Sequence, residues 1–146
     1  MASEVNIQRE YPHSPERVWR ALTEPEEIAQ WLMRADDFAP RVGQRFKFVH
    51  KPQPGWRGFV ECQVLTCEAP RELSYSWVGN VGQKPMIVRF TLEATAQGTR
   101  LTLRHTGFTG VGGFFLAKLM LGPGWKKMFD QRLPRVLSVF PALRDE

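Results

Sequence analysis

Residues 14–26 read SPERVWRALTEPE, and this stretch contains two helix starts in close succession. Ser14 can accept a hydrogen bond from a free backbone N–H of the first turn, and Pro15 suits the first helical position. Pro25 repeats the pattern, followed by two glutamates that suit the positive end of a helix. The sequence therefore predicts two short helices, each beginning at a proline.

Apolar residues recur at helical spacing in both predicted helices, so each should bury one face. These residues are Val18, Trp19 and Leu22 in the first helix, and Ile28, Trp31 and Leu32 in the second.

Outside these helices, apolar and polar residues alternate with a period of two, as in half-buried strands. The alternating residues on the predicted inner faces are Val5, Ile7 and Tyr11; Phe46 and Phe48; Leu73, Tyr75 and Trp77; Met86, Val88, Phe90 and Leu92; Leu101, Leu103 and His105. Residues 58–67 predict a longer strand of mixed faces, and residues 94–98 are typical of a hairpin turn. Strands at such short spacing indicate an antiparallel meander.

The C-terminal part is expected to form an apolar segment, 114–121, and then a long helix. Gly122-Pro123-Gly124 should end the segment, and the helix should start near Trp125. Pro134 removes a backbone N–H, so we expect a kink about one turn before it. The stripe expected to face the core contains Trp125, Met128, Phe129, Arg132, Val136 and Phe140, widened by Leu133 and Leu137.

Length and composition are those of one soluble globular domain covering residues 1–146. The chain is 42% hydrophobic and 24% charged, without an apolar run near the ~20 residues that a membrane-spanning helix needs. We expect no stable membrane insertion. The polar start of the chain does not resemble a signal peptide, so a cytoplasmic location is expected.

The net charge of +5 is unevenly distributed. Residues 1–40 carry four Arg and eight acidic residues, whereas residues 41–146 carry sixteen basic and seven acidic residues. Such asymmetry permits an anionic ligand, a membrane surface or nucleic acid as a partner. Nucleic-acid binding is not expected, because the last helix should cover the sheet face that would stack bases.

No pattern indicates a metal site, a cofactor or a catalytic set. Cys62 and Cys67 lie five apart on one predicted strand and so on opposite faces, which favours two reduced thiols. The three histidines are spread over the chain without metal-ligand spacing. The glycine-rich residues 110–113 lack the Lys-Ser/Thr ending of a phosphate loop and are interpreted as a hinge.

Several stretches carry a resemblance to a known family. They are residues 14–26, Trp31, Val42-Gly43, residues 67–77, residues 98–108 and Gly124-Trp125. Together they resemble the SRPBCC (START-like) superfamily, in the branch related to the C-terminal domain of the heat-shock-protein-90 ATPase activator. The resemblance covers residues 4–140. It implies an α+β helix-grip fold, in which a curved antiparallel sheet carries two short N-terminal helices and a long C-terminal helix packed across it.

The resemblance also implies an apolar cavity between the sheet and the last helix. Relatives bind lipids, sterols, polyketides or other hydrophobic molecules there, and a few cyclise polyketides. It implies no metal, nucleotide or common catalytic set. The heat-shock activator engages its chaperone through a further N-terminal domain, whereas this sequence starts at the first strand of the grip domain, so co-chaperone activity is not the first expectation.

Our first hypothesis is therefore a module that binds a small hydrophobic or amphipathic molecule. Apolar walls with few polar groups are typical of such pockets, and the polar atoms of Tyr75 and Trp77 favour a place at one. The expected lining is Trp31, Phe48, Trp56, Tyr75, Trp77, Met86, Phe90, His105, Trp125, Met128 and Phe129.

Two other functions stay open. One is a cyclase- or hydrolase-type enzyme with Tyr75, His105 or an inward-facing Glu61 as the acid–base group. The alternation does not fix the faces of Glu61 and Arg89. The other is a co-chaperone-like protein that acts by interaction.

The apolar segment 114–121 allows four interpretations: a gate to the pocket, a homodimer surface, a wedge into a membrane interface, or packing over the open end of the sheet. Packing is the favoured one. Four cations of the following helix, Lys126, Lys127, Arg132 and Arg135, are candidates for a basic rim.

Overall fold

The computed structural model describes residues 2–139, and its largest element is a curved seven-stranded antiparallel sheet. The strands are β1 (Ala2–Tyr11), β2 (Arg34–Asp36), β3 (Arg45–Val49), β4 (Phe59–Glu68), β5 (Glu72–Trp77), β6 (Met86–Thr95) and β7 (Gly98–Thr109). They lie in the order β1-β7-β6-β5-β4-β3-β2. The predicted meander is confirmed, with β1 closing onto β7 and the short β2 as an element that the alternation did not indicate.

The period-two residues face the core as predicted. Every alternating apolar residue of β5 and β6 is buried, and Leu73, Phe90 and Leu103 lie opposite one another across three neighbouring strands. The opposite face of the sheet carries charged residues, which include the Arg104–Glu4 pair. One face of the sheet is therefore available to pack against helices.

Helices α1 (Pro15–Thr23) and α2 (Pro25–Trp31) begin at the predicted prolines. The Ser14 hydroxyl accepts a hydrogen bond from the backbone N–H of Arg17 at 3.1 Å, as a helix cap does. The Trp31 indole N–H donates to the carbonyl of Ala21 at 2.8 Å. This bond fixes α2 against α1.

A buried ion pair joins three helices. Arg17 and Glu27 are 1% and 0% exposed, and Nη1 of Arg17 lies 2.7 Å from Oε1 of Glu27. Nη2 of Arg17 donates to the carbonyl of Val136 in the C-terminal helix at 3.0 Å. From sequence, Glu27 was expected only to place charge at a helix start, so this contact is an addition from the structure.

The C-terminal helix covers residues 110–139 without a break. It consists of alternating α- and π-helical stretches: Gly110–Phe115 (α), Leu116–Leu121 (π), Gly122–Lys127 (α), Met128–Arg132 (π) and Leu133–Val139 (α). The expected interruption at Gly122-Pro123-Gly124 and the helix start near Trp125 are therefore wrong. No helix within residues 2–139 has the length and apolar character needed to span a bilayer.

The π-helical stretches explain how two prolines fit inside the helix. The backbone N–H of Gly122 bonds to the carbonyl of Ala117, and that of Leu133 bonds to Met128, each five residues back. Each wide turn ends just before a proline, which has no N–H to contribute. A Cβ at position 122 would lie 2.6 Å from the Ala117 carbonyl oxygen, so the wide turn needs glycine there.

The wide turns also set which side of the helix faces the core. Mixing turns of 3.6 residues with wider π turns keeps every fourth residue on one side. This series consists of Gly113, Ala117, Leu121, Trp125, Phe129, Leu133 and Leu137, all of them buried or half-buried. The predicted stripe assumed ordinary α-helical spacing, and its inclusion of Arg132 is wrong because that residue is exposed. Phe140 lies outside the described residues.

Gly110 allows the helix to follow β7 directly. Its φ of +69° is a left-handed conformation that glycine adopts without strain. Residues 110–113, interpreted from sequence as a hinge, form the first turn of the C-terminal helix.

β1 holds the middle of this helix. The Tyr11 hydroxyl donates to the carbonyl of Phe129 at 2.7 Å, and Nε of Arg9 lies 2.6 Å from Oδ1 of Asp130. Both contacts fall in the π-helical stretch that precedes Pro134, where the helix lacks a backbone donor. The strand thus satisfies a carbonyl that the proline leaves without its usual partner.

We predict that breaking the buried ion pair destabilises the protein strongly. Glu27→Gln leaves the Arg17 charge buried without its counter-ion, and the free energy of unfolding should fall by about 3–5 kcal/mol. The double variant Arg17→Met/Glu27→Leu should lose less than the two single variants together, because no isolated charge remains. Urea denaturation followed by circular dichroism measures each value.

The exposed Arg34–Asp36 pair, with a 2.8 Å contact, supplies the control. Arg34→Met should leave the unfolding curve nearly unchanged, because ion pairs in water contribute little. An unfolding curve of Glu27→Gln that matches the unchanged protein would contradict a stabilising role for the pair.

Candidate functional site

An apolar cavity of about 420 Å³ lies at one end of the interface between the sheet and the C-terminal helix. Trp77 and Met86 of the sheet form one wall, and Leu116 and Leu121 of the C-terminal helix form the opposite wall. The loop 53–56, which includes Trp56, closes the side. The cavity therefore lies against the π-helical stretch 116–121, within the apolar segment identified from sequence.

A second hollow of about 660 Å³ adjoins this cavity and is more open to solvent. Phe108, Phe115 and Leu119 line it, together with Lys84. The two hollows share Gln83, Met86, Leu116 and Met120 as lining residues. These four side chains consequently form the partition between an inner and an outer space.

The interior beneath the middle of the helix is filled by aromatic rings. Trp31, Phe90, Trp125 and Phe129 are fully buried, and their ring centroids lie 6.0–6.5 Å apart. The pairs are edge-to-face or tilted, except for the stacked Phe90 and Phe129, and such ring pairs stabilise the packing beyond the area that they bury. This part of the grip is occupied by the protein's own side chains.

A second group of rings continues the packing toward β3. Phe46 contacts Phe48 and Tyr75 at centroid distances of 5.2 Å, and Phe48 lies 5.7 Å from Trp77. Trp77 is thus the member of this group that reaches the cavity wall.

Of the eleven residues predicted to bind a ligand, the structure places three on the cavity wall: Trp56, Trp77 and Met86. The other eight pack in the core or against it, and they are Trp31, Phe48, Tyr75, Phe90, His105, Trp125, Met128 and Phe129. Contact of any of the eleven with a ligand stays a prediction.

The sequence-based set lacked the helix residues that complete the cavity. Leu116, Met120 and Leu121 belong to the apolar segment, which offered the signal. The expected helix break at residues 122–124 separated that segment from the pocket in the prediction. A continuous helix places it directly over the sheet.

His105 connects the sheet to the helix in a fully buried position. Its Nδ1 accepts a hydrogen bond from the Trp125 indole N–H at 3.1 Å, which leaves the ring proton on Nε2. No described residue hydrogen-bonds to Nε2. Burial lowers the pKa of His105 from 6.5 to about 3, so the ring is neutral near pH 7.

The other two candidate acid–base residues lie away from the cavity. The Tyr75 ring is buried among the aromatic side chains, and burial raises its pKa well above 10. Glu61 is exposed on the outer face of β4, with its carboxylate 3.0 Å from Nη2 of Arg57. The inward-facing Glu61 of the enzyme hypothesis is therefore wrong. Arg89 also points outward and lies 3.4 Å from the Glu72 carboxylate.

The two cysteines are free thiols, separate from the other potential metal ligands in the described part of the chain. Cys62 is buried and Cys67 half-buried, both as free thiols, and burial raises the pKa of each. Within residues 2–139, no three His, Cys, Asp or Glu side chains lie close enough together to hold a metal ion.

We predict that His105 makes the stability of the protein fall in acid. The unfolded chain takes up a proton at this ring as the pH falls through about 6.5, whereas the folded state does so only near pH 3. Stability is therefore lost between these values. In His105→Phe, the difference in unfolding free energy between about pH 7 and about pH 4.5 should shrink by about 2–3 kcal/mol.

Chemical denaturation at both pH values measures this difference, and it separates the proton effect from the loss of the Trp125 hydrogen bond, which acts at every pH. His50→Phe, at an exposed ring, is the control and should keep the full pH dependence. An unchanged difference in His105→Phe would contradict a neutral buried ring.

Comparison with known proteins places this arrangement in a family. The family described as Activator of Hsp90 ATPase homolog 1-like protein matches residues 12–138. A comparison with curated proteins found no match. Among solved structures, protein MLL2253 from Mesorhizobium loti is 34% identical, with a TM-score of 0.79, over 93% of this chain and 97% of that one.

Two further structures are similar at lower identity. CalU16 from Micromonospora echinospora is 28% identical, with a TM-score of 0.73, over 94% of this chain and 78% of that one. DynU16, a protein in the dynemicin biosynthetic locus, is 25% identical, with a TM-score of 0.76, over 93% of this chain and 47% of that one. The family match covers most of the chain and confirms the resemblance carried by residues 14–26, so the chain belongs to the Activator of Hsp90 ATPase homolog 1-like family of the SRPBCC type.

Proposed function

We propose that this protein binds a small hydrophobic or amphipathic molecule in the cavity of about 420 Å³. The observation that carries the proposal is the contrast between this open apolar space and the tightly filled interior beside it. An unfilled apolar space costs packing energy, so a protein that keeps one gains when a ligand fills it. The volume is within the range of small-molecule sites.

The polar groups at the cavity favour a ligand that is apolar over most of its surface. The side-chain oxygen of Gln83 already accepts from the backbone N–H groups of Gly79 and Asn80, at 2.7 and 3.2 Å. The Asn80 amide donates to the carbonyl of Gly55 at 3.2 Å. Many of the hydrogen-bonding groups on the cavity wall are therefore already engaged in holding the loops of the wall together.

Trp56 provides one free donor. It is half-buried, stacks on His50 with ring centroids 6.4 Å apart, and lines the cavity. Its indole N–H has no hydrogen-bond partner among the described residues. A ligand with one carbonyl, ether or hydroxyl oxygen near this end can use that donor, which favours an amphipathic molecule over a pure hydrocarbon.

The positions of Tyr75 and His105 favour binding over acid–base catalysis. Neither side chain lines the cavity, and burial moves both pKa values away from neutrality. A general acid or base must reach the proton that it transfers. The similarity to a protein in a biosynthetic locus also fits a small-molecule ligand.

Native mass spectrometry of the freshly purified protein tests the proposal directly. A co-purified small molecule would identify the ligand class from its mass. Thermal-shift measurements across a library of lipids and aromatic compounds provide the second test. Repeated absence of an adduct, together with no shift for any compound, would contradict the proposed function.

We predict that filling the cavity abolishes binding. Leu116→Trp places an indole in the cavity, and the affinity for the identified ligand should fall at least about tenfold, because ligand and side chain compete for one volume. Isothermal titration calorimetry measures the change. Val111→Trp introduces the same ring on the exposed side of the same helix and should bind as the unchanged protein does. Equal affinity in Leu116→Trp would place the ligand elsewhere.

A further inference from the structure

The C-terminal helix exposes four large apolar side chains within its first eleven residues. Val111, Phe115, Leu119 and Met120 are 70%, 51%, 70% and 65% exposed, and we call them the apolar face. Isolated exposed apolar residues are ordinary, but a contiguous group of this size marks an interaction surface.

The spacing of these residues places them on the solvent side of the helix. Val111, Phe115 and Leu119 are four residues apart and exposed. Ala117 and Leu121, each two residues after a member of this series, face the core. The apolar face is therefore the solvent side of a helix whose opposite side, also apolar, packs against the rest of the fold.

The loop 79–85 extends the apolar face. Val81 at its tip is 87% exposed. Gln83 and Lys84 of the same loop line the outer hollow together with Phe115 and Leu119, so the loop and the helix border one surface.

The charges around this surface are positive. Lys84 lines the outer hollow, and Nζ of Lys118 lies 5.8 Å from the ring centre of Phe114. The ion pairs of the described residues involve neither lysine. The sequence has no Asp or Glu in residues 94–129, and none of the described residues that line either hollow is acidic.

We propose that the apolar face docks reversibly on an anionic lipid membrane. Exposed apolar side chains with lysines beside them are the combination that inserts shallowly into an interface and is attracted to acidic head groups. A second copy of the chain suits this surface poorly, because it would bring Lys84 and Lys118 against like charges. The inference does not depend on the proposed function, since docking needs no ligand in the cavity.

Docking would also orient the two hollows. Leu119 and Phe115 lie on both the apolar face and the outer hollow, and Leu116 and Met120 separate that hollow from the inner cavity. With the apolar face in the head-group region, the outer hollow opens toward lipid. The ligand of the proposed function would then pass between membrane and cavity with little exposure to water; this consequence, unlike docking itself, rests on the proposed function.

Vesicle flotation of the full chain tests the proposal. The protein should float with vesicles of phosphatidylglycerol mixed with phosphatidylcholine and stay unbound with phosphatidylcholine alone. Binding should weaken as salt is added, because the lysines act through screened electrostatics. No flotation with the anionic vesicles at low salt would overturn the proposal.

Variants separate the apolar and the electrostatic contributions to vesicle binding. Leu119→Gln/Met120→Gln should weaken vesicle binding at least about tenfold, because apolar contact with the lipid is lost. Lys118→Gln should weaken it about fivefold, whereas Lys118→Arg keeps the charge and should bind normally. Val42→Gln changes an exposed apolar residue outside the apolar face and is the matched control.

The oligomeric state tests the alternative, in which a second copy of the chain covers the apolar face. Light scattering after gel filtration should give the mass of a monomer for the unchanged protein and for Leu119→Gln/Met120→Gln. A dimer that this double variant dissociates would assign the apolar face to self-association and overturn the membrane proposal. Because all the changed residues are exposed, thermal unfolding should stay cooperative, which confirms that each variant is folded.

Discussion

The buried contact between Arg17 and Glu27 is the constraint on which the arrangement of helices depends. Two charges removed from water are tolerated only where their geometry is fixed, and here the guanidinium also reaches the Val136 carbonyl. The pair therefore specifies one relative placement of the two short helices and the end of the long one. With that end fixed, and β1 holding the middle through Tyr11, the N-terminal part of the C-terminal helix lies at the cavity.

Much of the fold was predictable because it follows from local periodicity. Alternation placed Leu73, Tyr75 and Trp77 on the inner face, and two prolines located both short helices. The Arg17–Glu27 pair could not be predicted, since both residues have the chemistry of surface positions and only the tertiary packing buries them. The π-helical turns could not be predicted from the sequence either. Proline and glycine at 122–124 are typical of a helix end, but the fold keeps the helix intact by widening the turn before them.

The sequence predicted that an apolar cavity exists between the sheet and the last helix, but it did not identify most of the residues that line the cavity. The fold family implied an apolar space between sheet and helix, and the aromatic residues were assigned to its walls. Most of those rings instead contact one another, because large side chains that meet in a core pack to crystal-like density. The space that stays open is displaced toward residues 116–121, where leucine, alanine and methionine replace the aromatic residues. The filled interior thus serves stability, and the open end is the place where the proposed ligand would bind.

The buried stripe of the C-terminal helix, formed by every fourth residue, limits how the sequence of this helix can evolve. Within an α-helical stretch, removing or adding one residue rotates everything beyond it by about 100°, so the stripe survives a change of length only where a π turn takes it up. Such a rotation would turn Trp125 and Phe129 away from the sheet. Homologues that keep this packing should therefore place any one-residue gap between 113 and 137 at the π-helical stretches 116–121 and 128–132, and none in the α-helical stretches between and beside them.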